Sequence, residues 1–243
     1  MIRSPTAPTA PVPACYVGLW QRTLLRTPNV RDTSTRVFWL QTQTWHADIR
    51  IPADRPELAG CNGFADLSGD ALRALSRQQG FAGITEVHGD VCRWHRQMDF
   101  QPQGKFNDIG LMQFDSSQRV LEYGIEQEYF EVWERVPESI GETWCEQAHA
   151  GAVRTLLLAA GEWFMFVRPR AIALPKETQL DSLIASAGSE SERWQLLDFE
   201  ISLGRRGSNG AAWRIELSTL PWREGRFAPA ALATQGFGLC PRG

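Results

Sequence analysis

Three side chains in the segment Trp45–Arg50 are of types that could work together: His46, Asp48 and Arg50. Successive side chains of an extended strand point to opposite faces, so these three share one face, and Trp45, Ala47 and Ile49 share the other. An imidazole titrates near neutrality and a buried carboxylate can be tuned, so this pairing is able to move a proton. A second run, Cys92–Phe100 (CRWHRQMDF), carries similar chemistry. Alternation places Cys92, Trp94, Arg96, Met98 and Phe100 on one face, and Arg93, His95, Gln97 and Asp99 on the other. The first of these faces reads as core, which makes Arg96 a buried cation in need of a carboxylate such as Asp48 or Glu131. Acid–base catalysis would draw on His46, Asp48, His95 and Asp99. Ligand binding would instead use Trp20, Trp45 and Trp94 as walls, with Arg50, Arg96 and His95 orienting a polar or anionic end.

Other chemistries find little support. His46, His88 and His95 could meet with Asp48 or Asp99, but no HxH or CxxH spacing marks a metal site, and neither a metal nor a cofactor is expected. The chain holds no GxGxxG, Walker loop, HExxH, GxSxG or EF-hand loop. Cys92 and His95 lie three apart on a strand and point to opposite faces, so they form no dyad. Cys61 sits in a turn (GCNGF) and reads as an inert thiol. The five cysteines (Cys15, Cys61, Cys92, Cys145, Cys240) are odd in number and scattered, as in a protein kept reduced in the cytoplasm. A net charge of -3 with no basic block gives no nucleic-acid footprint. The N-terminus has neither a secretory apolar stretch nor a membrane span, and proline and threonine over residues 1–14 favour a flexible tail. Ten tryptophans are the one strong bias, and they suit strands and barrel interiors.

Strands must position these residues. Tyr16–Thr27 reads as the first, and Thr35–Ile51 as two strands meeting near Gln41–Thr44. Leu67–Gln79 is the best helix, with Ser68 as its N-cap and Gly80 as its stop. Thr85–His88, Val91–Phe100, Ile109–Phe114, Val120–Tyr123 and Tyr129–Val136 follow as strands. The order then recurs. Thr155–Trp163 aligns without gaps on Val37–Trp45, which places Phe164, Phe166 and Arg168 opposite His46, Asp48 and Arg50. Leu180–Ser186 supplies a short helix, and Asp198-Phe199 echoes Asp99-Phe100. This preserved order indicates an internal duplication. Polar residues concentrate in the first copy, which makes it the chemically specialised half.

Gly18-Leu19-Trp20 opens the first strand and resembles the Gly-x-Trp signature of lipocalins and other calycin-superfamily barrels. The resemblance implies an arginine of the last strand packed on that tryptophan, for which Arg135 is the match. Gly141–Trp144 (GETW) is a looser version heading the second half. The expected fold is therefore mainly β, with two tandem calycin-like antiparallel barrels over 15–137 and 138–243, each with a short helix. The leading functional expectation is a small-molecule binding protein with its ligand in the N-terminal barrel. A cofactor-free isomerase, cyclase or lyase using the same cavity is the alternative, and an interaction scaffold, with homodimer formation, the third.

Overall fold

Closure of the first half rests on the two ends of its strand series. The computed structural model describes residues 10–58, 60–150, 153–207 and 212–228. The series runs β1 (Gly18–Arg26), β2 (Arg31–Asp32), β3 (Arg36–Gln41), β4 (Trp45–Ile51), helix α1 (Gly69–Ser76), β5 (Gln79–His88), β6 (Val91–Asp99), β7 (Asp108–Ser116), β8 (Arg119–Gly124) and β9 (Phe130–Arg135). Neighbours pair antiparallel and β1 also pairs with β9, so β1 and β3–β9 form a closed eight-stranded barrel. The two-residue β2 only extends the edge of β1. At the seam Trp20 stands directly opposite Arg135. The Arg135 guanidinium lies 4.2 Å from the Trp20 ring centroid and donates to the carbonyls of Val17, Cys15 and Ser117. Gly18 has φ 134°, and a Cβ there would collide with Arg135, so only glycine admits the closing arginine. The Gly-x-Trp and arginine pattern thus meets as expected, and the closed barrel fits a calycin-like fold in general.

Among the described residues the second half does not close. It comprises β10 (Thr143–Ala150), β11 (Val153–Ala160), β12 (Trp163–Arg168), helices α2 (Leu180–Ser186) and α3 (Glu190–Leu197), β13 (Glu200–Arg205) and β14 (Arg214–Ser218). These strands form an open five-stranded antiparallel sheet in chain order, which corrects the expectation of a second barrel. Its five strands match β1 and β3–β6 in order, and β7–β9, which complete the barrel, have no counterpart among the described residues. The aligned hairpins do share one register. Trp39 faces Asp48 and Gln41 faces His46 in the first, and Leu157 faces Phe166 and Ala159 faces Phe164 in the second.

The sheet packs on the outside of the barrel. Leu40, Ala47, Ile49 and Ile84 of the barrel share one apolar core with Leu156, Met165, Val167 and Ile201 of the sheet, sealed by Leu72 and Leu75 of α1 and Leu180 and Ile184 of α2. Trp45 belongs to this seam, so it is not a wall of the barrel interior as proposed from sequence. Strand alternation forces the correction, because Trp45 must share a face with Ala47 and Ile49. Phe164 and Phe166 lie on the sheet's opposite face, and Phe164 packs there with Leu157 and Ile215.

Local signals set the remaining boundaries. Ser68 caps α1 as expected, its hydroxyl accepting from the Ala71 N–H at 3.2 Å. The helix stops at Ser76 rather than Gln79, because Gln79 already pairs with Arg50 in the sheet. Of the tail expected over 1–14, residues 10–14 are described, and Val12 is buried with its N–H donating to the Gln43 carbonyl at 2.7 Å. No described helix is long and apolar enough to cross a membrane.

Arg170 ties the halves together. It donates to the carbonyls of Leu196 (2.9 Å), Asp99 (3.3 Å) and Phe100 (2.7 Å). Replacing it with methionine strands those acceptors, and Arg170→Met should lower stability by about 2–4 kcal/mol. Because one core spans both halves, urea unfolding should stay a single transition whether followed by fluorescence or by circular dichroism. Two separated transitions in the wild type would show that the seam does not couple the halves.

Candidate functional site

The barrel interior is built from the inward positions of every strand. Trp39 is its hub, with Trp20, Trp94 and Trp133 rings centred 6.3, 5.6 and 5.8 Å away and Tyr16 at 6.5 Å. The space left among Trp39, Phe81, Trp94, Trp133, Asp48 and Glu122 is only about 10 Å³, near the lower limit for one water. The interior is therefore filled, with no room for a ligand of drug-like size.

Charged groups complete that filling. Arg22 bonds Glu131 at 2.6 Å and Asp32 at 3.0 Å, and Arg50 bonds Asp48 at 2.7 and 3.3 Å. Burial pushes the Asp48 carboxyl above its ordinary range, and the adjacent Arg50 offsets part of that. Glu122 has no such cation bonded to it. It accepts from the Tyr129 hydroxyl at 2.7 Å and the Trp133 indole at 2.9 Å, and burial followed by repulsion from Glu131 raises its pKa well above normal. Gly110 lies directly beneath, where a Cβ would press on the Glu122 side chain at 2.9 Å.

His46 is fully buried on the same inner surface, and its tautomer follows from its neighbours. The Gln41 amide donates to the carbonyls of Thr42 (2.9 Å) and Trp45 (3.3 Å), which fixes its oxygen toward Thr85. Thr85 therefore donates to that oxygen at 2.7 Å and must accept from His46 Nδ1–H at 3.0 Å. His46 Nε2 is left as a bare acceptor with no hydrogen-bond partner. Burial, then Arg96 and His95 nearby, hold its pKa well below 6.5, so the ring is neutral.

The barrel opens at its side. Strand β6 pairs with β7 through Val91–Trp94 alone, after which the chain loops away before returning at Asp108. The gap forms a cleft of about 340 Å³ bordered by Trp94, His95, Arg96, Asp99, Asp108 and Tyr129. Arg96 lies over the Phe81 ring at 3.6 Å, bonded to Asp108 at 2.7 and 2.9 Å and to Asp99 at 3.2 Å. Burial alone would lower its pKa, but the two aspartates outweigh that and keep it charged. Its side chain is still 35% exposed, so it can meet a ligand.

A bulge explains how this run differs from its sequence reading. Gly83 pairs with Arg96 while Ala82 pairs with Met98, so Gln97 is an extra residue. Facing is thereby reversed beyond it: Asp99 joins Arg96 on the inner side, and Met98 and Phe100 turn outward into the seam with the sheet. The bulge requires glycine at position 83, where a Cβ would collide with the His95 carbonyl. Arg96 accordingly finds Asp108 and Asp99 as partners, not Asp48 or Glu131. His95 bonds Glu86 at 2.8 Å, and His88 bonds the same carboxylate at 3.0 Å. None of His46, Asp48, His95 and Asp99 bonds another of the four. Trp20 and Arg50 lie in the filled interior, and Trp94, His95 and Arg96 reach the cleft. Trp39, Glu122, Asp108 and Tyr129 were not singled out from sequence, although Trp39 shares parity with Gln41 and faces Asp48 across the hairpin.

Of the thiols, Cys92 packs among Trp39, Phe81, Trp94 and Trp133 inside the barrel. Cys92 is buried, Cys145 is pushed up to about 12 by burial, and Cys240 lies outside the described residues. Among the described residues no three His, Cys, Asp or Glu side chains cluster as metal ligands.

Neither the family models nor the curated proteins contain a match to this chain. A crystal structure of an uncharacterised Saccharomyces cerevisiae protein, YLR301w, is similar in fold. It superposes with a TM-score of 0.53 over 83% of this chain and 84% of that one, at 14% identity. The likeness shows a shared fold and nothing of function.

His46 links stability to pH. Above 6.5 the ring is neutral in both folded and unfolded chains and contributes no proton difference. Below 6.5 the unfolded chain takes up a proton that the folded one refuses, so stability falls with acidification by about 1.4 kcal/mol per pH unit. The difference in unfolding free energy between wild type and His46→Gln should follow that slope from pH 6.5 downward and flatten above it. A difference independent of pH would show that the folded chain protonates His46 as readily as the unfolded one.

Proposed function

We propose that the protein binds a small molecule at the side cleft of the N-terminal barrel. The observation that carries this reading is Arg96: a charged guanidinium held rigidly by Asp108, Asp99 and Phe81, yet part-exposed at the base of the cleft. A pre-positioned fork of donors beside an indole suits a flat or apolar ligand with a polar end, which Trp94 would flank and Arg96 and His95 would orient. The barrel would be lipocalin-like in architecture, though its filled interior leaves the ligand at the side rather than in a central calyx. No arrangement among the four acid–base candidates favours a reaction over binding.

Native mass spectrometry of the protein purified from its natural host tests the proposal, with the denatured mass as reference. A reproducible extra mass that is lost on denaturation is expected. Arg96→Met and Trp94→Ala should each weaken its retention roughly tenfold, the equivalent of about 1.4 kcal/mol. Trp45→Phe, in the seam, should leave it unchanged. A wild type with no extra mass, or one retained equally in both cleft variants, would remove the basis for this reading.

A further inference from the structure

We infer that the open sheet carries a second small-molecule site, on the face turned away from the seam, for a flat, uncharged aromatic molecule with a hydrogen-bond acceptor on its edge. This site is independent of the barrel cleft. Strands β10–β14 repeat the order of β1 and β3–β6, with helices following the third strand in both series. The shared hairpin register makes Phe166 and Arg168 the counterparts of Asp48 and Arg50, which point into the barrel. Both outer faces are spent on the common seam. Part of the face that would be an interior is covered by the Leu157, Phe164 and Ile215 cluster, and the part around Phe166 and Arg168 stays half-exposed, where the barrel has β7–β9 and a filled core.

A cleft of about 630 Å³ occupies that face, well within the size range of small-molecule sites. Its walls are Phe166 on β12, Trp194 on α3, and the edge-to-face pair Phe64 and Trp222, with ring centroids 4.7 Å apart. Phe64 reaches the cleft from the loop after β4, so both halves contribute to it. Rings already locked in mutual contact lose little freedom when another flat ring enters.

The charges identify the ligand class. Arg168 bonds Asp198 at 2.6 and 3.2 Å and lies 3.8 Å from Glu200, and Arg223 bonds Glu200 through its Nε at 3.0 Å. Two cations and two carboxylates cancel, so the cleft favours neither a cation nor an anion. Arg223 makes that bond with Nε alone, and its terminal nitrogens have no hydrogen-bond partner among the described residues. Its side chain is 23% exposed, so those donors are available to an acceptor on the ligand's edge.

The test is a fluorescence titration of the full chain with 7-amino-4-methylcoumarin, which is flat, neutral and carries a carbonyl acceptor. Saturable one-to-one binding is expected, weakened roughly tenfold by Trp222→Ala and by Trp194→Ala, and several-fold by Arg223→Met. Trp94→Ala in the barrel cleft should leave it unchanged. 2-Naphthoate and 2-naphthylmethylammonium should both bind more weakly than the coumarin. If Trp222→Ala fails to fold, Arg223→Met at its part-exposed position carries the same comparison. Absence of saturable binding to folded wild type, or binding undisturbed by these three substitutions, would overturn the site. Binding lost in Trp94→Ala would transfer the coumarin to the barrel cleft and overturn it equally. Tighter binding of either ion would overturn the ligand class.

Discussion

The two-residue period of β4 is the constraint on which the molecule depends. One face of Trp45–Ile51 is the centre of the seam between barrel and sheet, so the other face must enter the barrel. That face carries His46, Asp48 and Arg50, and none of them can be buried without partners. Arg50 therefore closes on Asp48, and His46 joins the Thr85–Gln41 chain. Phe81, opposite Asp48 on the next strand, provides the ring on which Arg96 rests. The position of the Arg96 guanidinium in the side cleft thus traces back to an apolar contact on the far side of the barrel wall.

Features carried by neighbouring residues were legible in the sequence. The split of Thr35–Ile51 into two strands at Thr42–Thr44, the Ser68 cap and the Leu180–Ser186 helix all depend on chemistry within a few positions. Arg135 on Trp20 was legible for another reason, since a resemblance supplied the long-range pairing that local chemistry cannot. What the sequence hid is non-local. Nothing in CRWHRQMDF marks Gln97 as an inserted residue. The bulge depends on Gly83 in the partner strand, and it reverses the facing of Met98, Asp99 and Phe100. Asp108 becomes the partner of Arg96 only because the chain returns there after a loop. The second copy's failure to close is equally non-local: strand order alone does not tell a five-stranded arc from the start of a barrel. Helix α3 is hidden by the match of Asp198-Phe199 to Asp99-Phe100, since the residues before Asp99 form a strand and those before Asp198 a helix.

The ionic groups inside the barrel contribute less to stability than their number suggests. A buried pair such as Arg22 with Glu131 roughly breaks even against apolar residues of the same volume, because desolvation consumes most of the attraction. Breaking such a pair is costly, on the order of 3–5 kcal/mol, since one charge is left stranded. The pairs therefore act mainly on specificity. Arg22 on β1 reaches Glu131 on β9, so a slipped register at the closing seam would strand the Glu131 carboxylate. The Trp20–Arg135 stack enforces the same register from the barrel end.

This division of labour explains why the two halves differ although their strand order is alike. The first has spent its interior on closure: four tryptophans and the paired charges occupy the volume where a calyx would be, leaving about 10 Å³. Where β6 parts from β7, charged and aromatic groups stay within reach of solvent. The second half, open among the described residues, fills its corresponding face in part, with Leu157, Phe164 and Ile215. Its counterpart positions carry Phe166 and Arg168 instead of Asp48 and Arg50, and the pairing carboxylates come from the neighbouring Asp198 and Glu200. A closed barrel can hold charges only where each has a fixed partner inside it. An open sheet can present rings and balanced ion pairs to an incoming molecule, provided another body buries its other face. The barrel is that body, and the seam formed by β4 is what leaves Phe166 and Arg168 turned away from it.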